Sequence, residues 1–156
     1  MTGRVTVALA GVLLAVSACA HRAPSGAKEV AQAWCSALVQ HDEAAAERLM
    51  TQSLRADVAR MRAVDAVFRK ENPGDKPPLG DGLRLTSFPD AVASCTALRV
   101  DGDTVLVRVT PAGSPDGAWE DRLQLRTQGG ISRVDEVGFG SIGNDRLRAW
   151  LAAGGM

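Results

Sequence analysis

Residues 95–110 read CTALRVDGDTVLVRVT, and the class of the fold turns on this stretch. Val105, Val107 and Val109 recur at every second position, with Leu106 and Arg108 between them. Successive side chains of a β-strand point to opposite faces, so this spacing predicts a strand with one buried, valine-lined face. Cys95 to Val100 predicts a second strand. Asp101-Gly102 between the two is a hairpin signal, because glycine supplies the positive φ of a tight turn.

Downstream the period of two continues. Residues 110–117, TPAGSPDG, form a turn-rich connection. Trp119, Asp121, Leu123 and Leu125 then alternate with Glu120, Arg122, Gln124 and Arg126, predicting another strand. Gln128-Gly129-Gly130 turns the chain into a last one, ISRVDEVGF. Leu83 and Leu85 begin a possible strand ahead of the set.

Upstream of the loop NPGDKPPLGDG (residues 72–82) the period is helical. Val30, Ala33, Trp34, Ala37 and Leu38 fall at helix intervals. Asp42 is placed to cap a short helix, EAAAERLM, and Ser53 to cap a longer one, LRADVARMRAVDAVFRKE. In the longer helix Leu54, Val58, Met61, Val64 and Phe68 predict one buried stripe. Arg55, Arg60, Arg62, Arg69 and Lys70 form the opposite, solvated face. Asn144 is placed to cap a short C-terminal helix bearing Leu147, Trp150 and Leu151, which Gly154 ends. Helices first and a meander of strands after them predict an α+β domain: N-terminal helices packed on a curved antiparallel sheet of about 4–5 strands, with a short C-terminal helix.

The first eighteen residues predict a signal peptide. Arg4 is the only charged side chain there, and Val5 to Val16 is an uncharged run of small or aliphatic residues. That run is shorter than the roughly 20 residues of a membrane-crossing helix and has the length of a signal-peptide apolar segment. Val16-Ser17-Ala18-Cys19 resembles the bacterial lipoprotein box, in which the cysteine thiol takes a diacylglyceryl group. The resemblance implies that Cys19 is the lipidated first residue of the mature chain. Alanine rather than aspartate at position 20 implies sorting to the outer membrane, facing the periplasm. Residues 19–26 then form the lipidated cysteine and a flexible tether, and residues 27–153 a single domain.

The chain carries 18 basic and 18 acidic side chains; removal of Arg4 leaves 17 against 18, a net charge of −1. Without a strong basic field, nucleic acid is not an expected partner. Cys35 and Cys95 remain. In an oxidising periplasm such a pair predicts a disulfide, the alternative being two small buried thiols. The loop between them spans about 60 residues, for which the chain-entropy relation gives about 4 kcal/mol.

The first helix with Trp34, the helix pair after it and the ending GGISRVDEVGFGSIGNDRLRAWL together resemble the nuclear-transport-factor-2-like, or cystatin-like, cone fold. Within that fold the chain looks like the YbjP-type bacterial lipoproteins of unknown function. Ile131 stands where such proteins carry an aromatic residue. The resemblance covers residues 27–153 and implies a fold and an envelope location, with no established reaction.

Few residues assemble a recognisable chemistry. Gly138-Phe139-Gly140-Ser141-Ile142-Gly143 matches G-x-G-x-x-G, but a dinucleotide site needs a further strand and an acidic residue about twenty positions on. The motif reads instead as a glycine-permitted turn. His41-Asp42-Glu43 is a polar turn whose adjacent residues do not converge on a metal. Asp116, Glu120 and Asp121, then Asp135 and Glu136, are carboxylates for which cross-strand pairing with Arg122, Arg126 and Arg133 is the expected role. Strict alternation sends Glu120 and Asp121, and likewise Asp135 and Glu136, to opposite faces. Trp34 and Trp150 read as core residues, although a tryptophan at the mouth of a cone-shaped pocket would meet a ligand. No catalytic residue, metal ligand or cofactor is predicted.

The expectation is therefore a non-enzymatic lipoprotein held at the membrane through Cys19, which binds an unknown envelope protein or, as an inhibitor or immunity lipoprotein, a toxin. The alternative is a small-molecule carrier or enzyme that uses the interior of the fold. It predicts a sizeable apolar pocket with a few convergent polar groups.

Overall fold

The computed structural model describes residues 26–80, 82–87, 92–140 and 146–154. Cys19, the signal segment, most of the tether, Ser141 to Gly143 and Asn144 lie outside the described residues. Three helices come first: α1 (Ala27–Val39), α2 (Glu43–Leu49) and α3 (Gln52–Glu71). Four strands follow: β1 (Val92–Asp101), β2 (Thr104–Pro111), β3 (Trp119–Gln128) and β4 (Ile131–Gly138). They form one antiparallel meander in the order β1-β2-β3-β4. A short helix, α4 (Leu147–Ala152), follows the sheet. The expected α+β class is what the chain adopts, with four strands.

The hairpins turn where glycine allows it. Asp101 pairs with Thr104 across a two-residue loop in which Gly102 has φ +57°. Gln128 pairs with Ile131 across Gly129 and Gly130, at φ +58° and +78°. Positive φ is nearly free for glycine and strained for other residues. The inward residues of β2 and β3, from Val105, Val107 and Val109 to Leu123 and Leu125, are buried. They share one core with Trp34 of α1 and Leu54 of α3, both wholly buried. A Cys35–Cys95 disulfide ties α1 to the edge strand β1, with the Cα atoms 4.9 Å apart. The opposite edge strand, β4, is joined by the chain between α2 and α3, where the Thr51 N–H donates to the Val134 carbonyl at 2.8 Å.

Helix caps follow the expected chemistry in α2 and shift in α3 and α4, the latter having Arg146 rather than Asn144 at its N-cap and no side-chain cap hydrogen bond. The Asp42 carboxylate accepts the Ala45 N–H at 2.8 Å and starts α2. Thr51, not Ser53, caps α3: its hydroxyl oxygen accepts the Leu54 N–H at 3.2 Å. Backbone pairing of Thr51 with β4 fixes the chain in an extended conformation there and begins the helix two residues earlier.

The stripe of α3 also differs from the expected one. Leu54, Val58 and Met61 are buried, but Val64 is half exposed and Asp65 takes the core-facing position. Steps of four, three and four follow a 3.6-residue turn more closely than four, three and three. The stripe therefore runs Leu54, Val58, Met61, Asp65, Phe68. The basic face is not wholly solvated either. Arg62 pairs with Glu43 and Glu47 of α2, and Arg69 with Asp65.

Candidate functional site

Between α3 and β1 the chain runs through a connection longer than the roughly 12–15 residues usual for structureless loops. Residues 76–80 and 82–87 belong to it. Leu83 and Leu85, expected to begin a strand, are both buried but belong to no sheet. Their alternation is real and the ladder is absent; three backbone N–H groups of this strap go to carboxylates instead. Leu79 N–H donates to Asp65 Oδ1 at 2.9 Å. Leu83 N–H donates to Glu43 Oε1 at 2.9 Å. Ser87 N–H donates to Asp121 Oδ2 at 3.1 Å. Three carboxylates from α3, α2 and β3 thus pin one strap at three successive points.

The third pin is the most buried. Asp121 is 1% exposed and accepts five hydrogen bonds: from the Thr86 and Ser87 hydroxyls, the Ser87 and Gly140 N–H groups and the Trp119 indole. All five donors are neutral. The expected pairing of Asp121 with an arginine across strands does not occur: Asp121 shares the inward face of β3 with Leu123 and Leu125, and a buried carboxylate has to be satisfied in this way. A Cβ built on Gly140 would overlap the Glu120 carbonyl. Gly140 therefore serves close packing, and its N–H is already occupied by Asp121 rather than offered to a phosphate.

Burial by itself would raise the Asp65 carboxyl. The Arg69 hydrogen bond, the Leu79 N–H and the Arg69 charge outweigh it and hold the group below its usual value. Arg69 also donates to the Gly80 carbonyl at 3.0 Å, so one ion pair fixes both sides of the Leu79–Gly80 peptide region.

Under the strap lies a cavity of about 920 Å³. That is at the upper end of the ~300–1,000 Å³ typical of ligand pockets. Its apolar wall includes Leu38 of α1, Phe68 of α3, Leu79 and Leu85 of the strap, Val92 of β1 and Trp150 of α4. Trp150, expected in the core, is half-buried and lines this space, while Trp34 is wholly buried as expected. Polar groups also face it: His41, Asp42, Glu43, Lys76, Arg84, Thr86 and Ser87. His41 sits in the α1–α2 turn at φ +52°.

The remaining predicted residues do not converge on this cavity. Glu120 pairs with Arg108 across the outer face of the sheet at 2.8 Å. Asp135 and Glu136 do not diverge as strict alternation predicts. The register slips between Gln124↔Glu136 and Leu125↔Val134, leaving Asp135 as the extra residue of a β-bulge. Val134 and Val137, three apart, are both wholly buried, and Asp135 and Glu136 between them both reach Arg148 of α4. Arg148 also pairs with Asp57 of α3, and Arg126 with Asp135 as expected. This cluster docks α4 on the sheet. Among the described residues no group of three or more histidine, cysteine or acidic side chains is placed to hold a metal ion.

Sequence reading missed the strap's pins, Glu43 and Asp65, and the cations Lys76 and Arg84 at the cavity. Two signals were available: an acidic residue in register with a helix's apolar stripe, and a long connection rich in proline and glycine. No family model, curated protein or solved structure matches this chain.

Proposed function

We propose that this domain binds a small molecule in the cavity beneath the strap, and does so as a periplasmic lipoprotein anchored to the outer membrane through Cys19. The observation that carries the binding reading is the cavity itself, roofed by a segment that three carboxylates hold in place. Elaborate pinning of an otherwise irregular strap is what a preformed pocket requires, since an unpinned loop would collapse onto the apolar wall. Among the polar groups that roof the space, Glu43 is spent on Leu83, and Thr86 and Ser87 on Asp121. That favours retention of a ligand over its chemical conversion. The envelope location rests on the sequence around Cys19, and the Cys35–Cys95 disulfide supports an oxidising compartment.

One experiment tests both parts. The chain is isolated from the membrane fraction of palmitate-labelled cells and weighed intact under native conditions, beside a Cys19→Ala variant and an Ala37→Trp variant that fills the cavity. The expected results are label and membrane association lost in Cys19→Ala, and a non-covalent adduct of a few hundred daltons missing only from Ala37→Trp. An unchanged label would overturn the anchor. The same adduct on both wild type and Ala37→Trp, or an adduct on neither, would overturn the binding site. Crosslinked envelope proteins that persist on Ala37→Trp, with no adduct on either chain, would favour a protein-docking domain instead.

A further inference from the structure

Resting on the small-molecule reading, we infer that the cavity takes an anionic amphiphile, with an apolar body against the Leu38, Phe68 and Trp150 wall and an acidic head between Lys76 and Arg84. The inference comes from two cations that have no carboxylate partner among the described residues. Two acidic and two basic side chains line the space. The acidic ones are engaged. Asp42 caps α2 through Ala45, and Glu43 holds both Arg62 and the Leu83 N–H. The cations are not: neither Lys76 nor Arg84 has a carboxylate partner among the described residues.

Arg84 supplies a second, independent observation. Its guanidinium lies over the Phe139 ring, 4.8 Å from the centroid, and one terminal nitrogen donates to the Ser87 carbonyl at 2.7 Å. Its Nε is enclosed by the protein, so an acid in the cavity would meet the terminal nitrogens. The planar fork of an arginine matches the two oxygens of a carboxylate or phosphate. Lys76 stands at the exposed rim, its chain folded along Gly80. There an ammonium attracts an anion as a point charge without needing fixed geometry. Carboxylate and phosphate heads share this chemistry, and an apolar wall of leucine, valine and aromatic side chains selects the hydrocarbon part rather than a sugar or a peptide.

The test is displacement of 12-(9-anthroyloxy)stearate from the purified full chain by four competitors of matched chain length: palmitate, palmitoyl lysophosphatidate, methyl palmitate and hexadecyltrimethylammonium. The acidic competitors are expected to bind about tenfold or more tighter than the neutral ester, since hydrogen bonds to charged groups are each worth at least that factor. Lys76→Gln should reduce the acids' affinity several-fold and leave the ester's unchanged. Arg84→Lys, which keeps the charge but loses the fork, should weaken the acids further. A preference for palmitate over the lysophosphatidate, or the reverse, identifies which acid the fork fits. Equal binding of acid and ester, tighter binding of the cation, or acid affinities that Lys76→Gln leaves untouched would overturn the anionic class while leaving the cavity as a binding site. Failure of all four competitors and of the probe to bind would overturn the binding reading itself.

Discussion

Two carboxylate junctions hold this molecule together, and they are built on opposite principles. Around Asp121 a wholly buried carboxylate is satisfied by five neutral donors and joins the strap to the sheet. Around Arg148 a partly exposed guanidinium lies among Asp57, Asp135 and Glu136 and joins α4 to α3 and β4. The first excludes water and is directional, so it suits a wall that must keep one shape over a cavity. The second is ionic and reaches solvent, its guanidinium side chain 29% exposed, so it docks a terminal helix without demanding a fixed geometry.

Breaking the buried junction should have the largest effect. Asp121→Ala removes the acceptor shared by the Thr86, Ser87, Trp119 and Gly140 donors, of which the Trp119 indole keeps the Thr86 hydroxyl, and each buried unmade donor costs about 1–3 kcal/mol. We expect a loss on the order of 3 kcal/mol in urea unfolding at unchanged m-value, insensitive to salt; a loss below ~1 kcal/mol would show that the strap is not held there. Arg148→Ala should cost less, roughly 1–2 kcal/mol, as for charged pairs still reached by solvent. Its cost should shrink in 1 M salt, where the screening length falls to about 3 Å. If the two variants responded alike to salt, the contrast between the junctions would be wrong.

The smallest effect is expected at the strap's first pin. Asp65→Asn keeps an acceptor for Leu79 and loses the Arg69 ion pair, a change of about 1 kcal/mol at neutral pH. Because the Asp65 carboxyl is held below its usual value, its contribution is fully present above the unfolded value of about 3.9 and is lost as pH falls through the lower folded one. The stability gap between wild type and Asp65→Asn should therefore be constant from pH 7 to about 5 and close below about 4. A gap that widened in acid would reverse the sign of the assignment.

Much of the architecture was legible in the residues themselves. The valine alternation, the glycine hairpins and the Asp42 cap each express a local rule: side-chain period, positive φ or an N–H needing an acceptor. The departures occur where a distant partner overrides such a rule. Thr51 pairs with Val134 and moves a helix start; a bulge at Asp135 turns two carboxylates toward one arginine; Leu83 and Leu85 alternate as a strand would, but their strap hydrogen-bonds to carboxylates in place of neighbouring strands.

For the candidate site the division is sharper. The sequence by itself determined the α+β order of elements and the residues able to bridge as a disulfide. Only the tertiary structure decided that Glu43, Asp65 and Asp121, 78 positions apart at the extremes, serve one strap, and that Lys76 and Arg84 face an apolar space with no carboxylate partner among the described residues. Local pattern follows from the backbone's short-range periodicity. A cavity depends on contacts between segments distant in sequence, whose distances no period encodes.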